Sequence, residues 1–166
     1  QLALQCAPLI TGLKISNLLT ISPEGFIQVG RIVEGSVLSL YPLLETEEKM
    51  VILLYREDRL EKYLKMLQVQ KLLREAGYES DRLGDILPVF CYRYETDADR
   101  GKPFPHELGL LLGYPPEDVE GFIRHQGKNS LCTGYWKVYA DKEGKQRLFE
   151  KYEYARENLI QLLHYG

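Results

Sequence analysis

Cysteine and histidine are both scarce in this sequence, with three residues of each. The cysteines, Cys6, Cys91 and Cys132, are odd in number and far apart. A secreted protein held by disulfides has a denser and even set, so we expect reduced thiols and a cytoplasmic protein. Neither a CxxC motif nor a helical pair of histidines is present, and zinc sites commonly use one or the other. We therefore expect no metal site and no cofactor.

An excess of positive charge and a long apolar run are also missing. The 21 basic and 24 acidic residues give a net charge of -3, which offers no broad attraction to phosphate backbones or anionic lipid. The apolar residues 2–21 are interrupted by Gln5, Lys14 and Asn17, so they predict neither a signal peptide nor a membrane span. Nucleic acid and membranes are therefore not expected as partners.

The chain does contain enough apolar residues for a core. Hydrophobic residues make up 45% of the 166 positions, which favours a single globular domain over residues 1–166. Residues 95–105 are charged and contain Gly101, Pro103 and Pro105, which are typical of an exposed loop. A subdivision at this loop is the alternative organisation.

The first third of the chain predicts two helices followed by a hairpin. We expect a helix in the apolar residues 2–21 and a second one that is capped by Ser22 and ended by Gly35. Residues 37–44 and 50–55 are rich in apolar residues and flank a charged loop. They therefore predict two antiparallel strands.

The remaining segments complete the predicted fold. A shift in the helical spacing within residues 60–76 predicts a kinked or broken helix. Residues 81–94 predict a helix that Pro88 should bend or shorten. The aromatic segment 134–139 predicts a third strand, and residues 145–164 predict a last amphipathic helix. Together these elements indicate an α+β domain, with a small antiparallel sheet of about three strands packed against several helices.

The segment 105–123 has the spacing of a helix-turn-helix. Gly109, Gly113 and Val119 supply the small residue, the turn glycine and the apolar anchor that such a pair needs. The charges of its second helix are Glu117, Asp118, Glu120 and Arg124. This net negative surface would repel DNA, so it favours contact with a protein partner. The alternative is a purely structural role, in which the pattern reflects burial of the apolar residues.

The segment 134–139 is a candidate ligand site. Tyr135, Lys137 and Tyr139 would share one face of a strand and line a pocket, where Lys137 would neutralise an anionic ligand. In the alternative arrangement, Trp136 lies in the core and the tyrosines are amphipathic edges of the protein.

Cys6 is the candidate for thiol chemistry. A thiol near a helix start has a lowered pKa if a positive charge such as Lys14 folds back beside it. His106, at the start of another helix, is a candidate general base. The alternative for Cys6 is a small buried apolar residue, and for His106 a capping or surface residue.

Three segments carry a resemblance to a known family. They are Cys6-Ala7-Pro8, LGYPPEDVEGFI from Leu112, and GYWKVY from Gly134. With these segments, the chain resembles a bacterial domain-of-unknown-function family, number thirty-seven ninety-three, over nearly its whole length. The resemblance implies a cytoplasmic bacterial protein, but it implies no established activity, cofactor or catalytic residue.

The sequence thus supports three hypotheses about function. The first is a non-enzymatic binding or regulatory module that contacts a protein partner or a small ligand. The second is a small thiol-dependent enzyme or redox protein centred on Cys6. The third, which the acidic second helix disfavours, is a regulator of the helix-turn-helix type.

Overall fold

The computed structural model describes residues 2–101 and 105–165, and they form an α+β protein, as predicted. The chain divides into two compact units. The central unit comprises Ile15–Gly113, and the terminal unit comprises Gln1–Lys14 together with Tyr114–Gly166. Neither end of the central unit lies in the loop 95–105, and the single domain stays a prediction.

Eight helices and five strands occur in the described residues. The helices are α1 (Leu2–Ile10), α2 (Pro23–Val33), α3 (Glu57–Leu64), α4 (Leu67–Glu75), α5 (Leu83–Asp99), α6 (Leu108–Leu111), α7 (Pro116–His125) and α8 (Lys142–Tyr165). The strands are β1 (Ser16–Ile21), β2 (Ser39–Glu45), β3 (Met50–Tyr55), β4 (Cys132–Thr133) and β5 (Lys137–Val138).

The central unit contains a three-stranded antiparallel sheet in the order β1-β3-β2. All six residues of β3 are buried, as expected of a central strand with a continuous apolar sequence. Its neighbour β2 is an edge strand, where Pro42 is exposed and the register shifts between Pro42 and Leu44. Proline is tolerated at such an edge because its missing N–H breaks no inner ladder.

Two strand predictions were wrong, although the hairpin of β2 and β3 is confirmed. The third strand of the sheet is β1, which lies within the predicted opening helix. That helix ends at Ile10, and Gly12 then adopts a positive φ of 81°. Residues 134–139 do not join this sheet, since β5 pairs with β4 in a separate two-stranded sheet.

The helix predictions were more successful. Ser22 caps α2 by accepting a hydrogen bond from Gly25 N at 3.1 Å, and the predicted break separates α3 from α4 at Met66, whose backbone is extended. Pro88 lies inside α5, yet this helix continues to Asp99, so the loop prediction was wrong for residues 95–99. Helical continuity is supported by a buried face of α5, which consists of Leu83, Ile86, Leu87, Phe90 and Tyr94.

A buried carboxylate joins three segments of the central unit. Glu107 accepts hydrogen bonds from Tyr78 Oη at 3.1 Å and from Arg93 Nη1 at 2.9 Å. Arg93 also donates to the carbonyl of Ala76 at 2.7 Å and lies over the Tyr78 ring. Burial, followed by the charge of Glu107, raises the pKa of Tyr78. The phenol therefore stays protonated and acts as a donor to Glu107.

In the terminal unit, α1 packs against α8, and α7 contacts β5. The core of this unit contains Trp136, Val138 and Tyr152. On α7, a Cβ at Gly121 would clash with Tyr139. Glycine at this position is therefore what lets the segment after β5 lie so close to the helix.

Candidate functional site

The terminal unit is organised around the carboxylate of Asp118, which is 1% exposed. Oδ2 accepts a hydrogen bond from the indole Nε1 of Trp136 at 2.8 Å, and Oδ1 accepts from the backbone N–H of Tyr139 at 2.8 Å and of Ala140 at 3.2 Å. Lys145 Nζ lies 3.2 Å from Oδ2. Four donors thus compensate the buried charge of one side chain.

Lys145 connects this carboxylate to the start of α8. It also contacts Glu117 Oε1 at 2.9 Å and donates to the carbonyl of Ala140 at 3.1 Å. Burial alone would lower the pKa of Lys145, but the hydrogen bonds with Glu117 and Asp118 outweigh this effect and raise the pKa. The ammonium group is therefore a structural cation and not a free base.

The aromatic residues of the unit pack around the anchored indole. Tyr114 stacks on Trp136 with ring centroids 4.9 Å apart, and Phe149 meets Trp136 edge-on at 4.7 Å. Tyr135 packs edge-on against Tyr152 at 5.0 Å. Because these rings contact one another as well as Trp136, the position of Tyr135 depends on the same anchor.

Beside Tyr135 is a cleft of about 730 Å³, which we call the Tyr135 cleft. Its lining contains Gly134 and the rings of Tyr135, Phe149 and Tyr154. The charged residues of its lining are Glu150, Glu153, Arg156 and Glu157. Three carboxylates against one guanidinium leave the cleft with a net formal charge of -2, so it combines aromatic faces with negative charge.

Tyr135 links the cleft to the interior. Its hydroxyl donates a short hydrogen bond to Glu153 Oε1. Burial, followed by this hydrogen bond and the charge of Glu153, raises the pKa of Tyr135 to about 12. The phenol is therefore a poor general base near neutral pH, and its role in the cleft is that of a fixed aromatic wall.

Lys14 lies on the inner side of the same ring, with Nζ 5.9 Å from the ring centroid of Tyr135. Its side chain is 8% exposed. Burial lowers the pKa of Lys14 to about 8, and the electrostatic interaction with Cys6 acts in the opposite direction. The structure thus brings together three of the predicted residues, Cys6, Lys14 and Tyr135.

The other two predicted ligand residues lie elsewhere. Lys137 Nζ donates to the carbonyl of Gly127 at 2.7 Å. Tyr139 stacks on His125 and donates from its hydroxyl to the carbonyl of Lys128. Neither residue lines the Tyr135 cleft, so the structure gives no support at this cleft for an anionic ligand held by Lys137.

The predicted partner surface on α7 is largely compensated within the protein. Asp118 is buried, Glu117 is paired with Lys145, and Glu120 lies 3.4 Å from Arg124. The helix-turn-helix stays a prediction. The helix at its first position, α6, is a single turn of four residues and belongs to the central unit. His106 is exposed and belongs to the central unit, whereas Cys6 belongs to the terminal unit.

Sequence reasoning missed the residues that α8 contributes to the cleft. The pattern of this segment predicts an ordinary amphipathic helix. The segment contributes four residues to the cleft, namely Glu150, Glu153, Tyr154 and Glu157. A signal was present, because an exposed tyrosine among several acids on the polar face is an unusual combination. The periodic pattern predicts an amphipathic helix, but it does not distinguish the acids of the polar face from ordinary solvated surface.

The described part of the chain lacks two features, a cluster of metal ligands and a membrane-spanning helix. No group of three or more histidine, cysteine, aspartate or glutamate residues in that part is arranged to hold a metal ion. No helix found there is both long and apolar enough to span a membrane.

The sequence places the chain in a known family. A family described as "protein of unknown function (DUF3793)" matches residues 2–166, so the chain belongs to that family. Neither the curated proteins nor the solved structures gave a significant match. The family description assigns no activity, and the functional argument therefore rests on the site itself.

The Asp118 anchor leads to a stability prediction. Asp118→Asn removes the negative charge and leaves Lys145 buried beside a neutral amide. Breaking a buried ion pair costs about 3–5 kcal/mol, so we expect unfolding in urea, followed by Trp136 fluorescence, to show a loss of that order. Glu143→Gln, which removes an exposed carboxylate on α8, the helix that carries Lys145, is the control. A loss below about 1 kcal/mol for Asp118→Asn would contradict the anchoring role.

Lys14 leads to a prediction about pH. Its pKa is about 8 in the folded protein against 10.5 ordinarily, so between these values the unfolded chain binds more protons. The free energy of unfolding should therefore rise with pH between about 8 and 10.5, by at most roughly 3.5 kcal/mol at about 1.4 kcal/mol per pKa unit. Below pH 8 the amine is charged in both states, so the full cost of burying the charge is present.

The test compares urea unfolding of the wild type and Lys14→Met across this range. Tyrosine ionisation is common to both proteins and cancels in the difference. Lys14→Met should lack the rise, whereas the control Lys142→Met, at an exposed lysine, should retain it. If the free energy of unfolding rises equally with pH in Lys14→Met and the wild type, burial does not lower the pKa of Lys14.

Proposed function

We propose that the chain is a cytoplasmic binding module whose Tyr135 cleft takes a ligand, either part of a protein partner or a small molecule. The observation that carries this proposal is the cleft itself, where three aromatic rings and four charged side chains lie beside the core that contains Trp136. Aromatic walls with a few charged groups are typical of recognition sites. The scarcity of cysteine supports the cytoplasmic location.

The exposure of Tyr154 favours a binding role over a structural one. This side chain is 68% exposed, so burial in the core does not explain a large aromatic residue at this position. Tyrosine contributes much contact area at low entropic cost, which makes it a frequent residue of binding surfaces. Since Asp118 and Lys145 are fully engaged with each other and with their neighbours, the polar groups available to a ligand lie on α8.

A binding screen with fluorine NMR tests the proposal. The protein is labelled with 3-fluorotyrosine and exposed to small organic cations, anions, neutral aromatics and a pool of short peptides. Ligands of the cleft should shift the resonances of Tyr135 and Tyr154 but leave that of Tyr92 unchanged.

Variants then locate the site. Tyr154→Ala should weaken any ligand so found by about five-fold or more, because it removes one aromatic wall. Tyr92→Ala, which removes an equally exposed tyrosine of the central unit, should leave the affinity unchanged. Shifts that include Tyr92 equally, or an absence of shifts at Tyr135 and Tyr154 with every probe, would exclude the cleft.

The second candidate is a thiol-dependent enzyme or redox protein centred on Cys6. It is favoured by the electrostatic interaction between Cys6 and Lys14, because a nearby ammonium group stabilises a thiolate. Against it stands the burial of Cys6, whose exposure is 1%, and an attacking thiolate must reach its substrate.

Alkylation with iodoacetamide distinguishes the two functions. In a binding module, Cys6 should react more slowly than the partly exposed Cys132 at neutral pH, because reagent access limits the rate. Peptide mass spectrometry measures the two rates in one sample, and the urea-unfolded protein provides the rate of the accessible thiols. Faster alkylation of Cys6 than of Cys132, abolished by Lys14→Met, would instead support the thiol enzyme.

A further inference from the structure

We propose, building on the binding function above, that the Tyr135 cleft captures a basic side chain from a segment of a partner protein that also carries apolar residues. The guanidinium or ammonium group lies among the carboxylates of α8, and the neighbouring apolar residues lie in an adjoining groove.

The charge of the cleft selects a cation. Its carboxylates come from Glu150, Glu153 and Glu157, and Arg156 is the basic residue of its lining. Glu153 is already hydrogen bonded to Tyr135. In the described part of the chain, no hydrogen bond or ion pair engages Glu150 or Glu157. Two carboxylates are therefore available for a cation, whereas an anion would meet net repulsion.

The aromatic rings add to the same preference. The faces of tyrosine and phenylalanine carry negative electrostatic potential, so they attract guanidinium and ammonium groups within about 6 Å. Tyr154 and Tyr135 line the cleft together with the carboxylates. A basic side chain gains from both, because its charged end meets the carboxylates while its stem lies along a ring.

An apolar groove adjoins the cleft and favours a segment of protein over a small cation. The groove measures about 620 Å³, and its apolar lining includes Leu13, Leu159 and Leu162. Its charged lining residues are Arg147, Glu150 and Lys151, so the negative charge is concentrated in the cleft and not in the groove. Glu150 and Tyr154 line both the groove and the cleft. A free organic cation would use the cleft alone, whereas a segment with basic and apolar residues would use both sides of Tyr154.

The experiment measures the binding of short peptides, acetylated at the N-terminus and amidated at the C-terminus, to the wild-type protein. Each peptide has two leucines, a glycine and two arginines between glycine-serine ends. One version has the leucines before the arginines, and the other has the arginines first. A first twin carries citrulline for arginine, which keeps the shape and removes the charge. A second twin carries serine for leucine. Affinity is measured by fluorescence anisotropy, and the site is located by the 3-fluorotyrosine resonances of Tyr135 and Tyr154.

We expect the arginine peptides to bind and the citrulline twin to bind about ten-fold more weakly, since hydrogen bonds between charged groups are the strong ones. The serine twin should also bind more weakly, because the groove is then unfilled. The double variant Glu150→Gln/Glu157→Gln should weaken the arginine peptides by about five-fold and reduce their salt dependence. Glu143→Gln, on the same helix but outside the cleft, should leave binding unchanged.

Each contrary outcome has its own meaning. Equal affinity of the arginine and citrulline peptides, with shifts at Tyr135 and Tyr154, would overturn the cationic class but leave the binding function standing. Shifts with arginine amide or spermidine but with none of the peptides would overturn the protein source. No shift at Tyr135 or Tyr154 with any of these probes, or with those of the broader screen, would overturn both proposals.

Discussion

The buried carboxylate of Asp118 is the constraint on which the terminal unit depends. A buried charge costs several kcal/mol unless donors compensate it, and here the donors come from three places, the indole of Trp136, the backbone at residues 139–140, and Lys145. All must be in position together. The carboxylate of α7 therefore fixes the path of the chain from β5 to the start of α8.

This constraint explains how a small unit supports an aromatic surface. The indole that Asp118 holds is contacted by Phe149 and Tyr152 from α8, and these residues in turn contact Tyr135. The first turns of α8 are oriented by Lys145 and the rings. The backbone positions of its outward residues are then defined as well, and a site on a well-positioned backbone loses less entropy on binding.

The parts of the fold that follow local patterns could be predicted, and the parts that depend on distant partners could not. The run of six apolar residues in β3 and the Ser22 cap are local signals, and the structure has both. The six residues of β1 suit a helix or a strand, and their pairing with β3 decides between them. Asp118 resembled a surface acid because its partners begin 18 residues later.

The same distinction applies to the candidate site. The strand pattern at residues 134–139 grouped Tyr135 with Lys137 and Tyr139. Of these three residues only Tyr135 lines the cleft, and the other two contact residues 125–128. What characterises the cleft is charge that the fold leaves uncompensated. The acids of α7 are paired with Lys145 and Arg124, whereas Glu150 and Glu157 have no such partner among the described residues. Net charge alone does not reveal this difference, because it counts a paired and an available carboxylate alike.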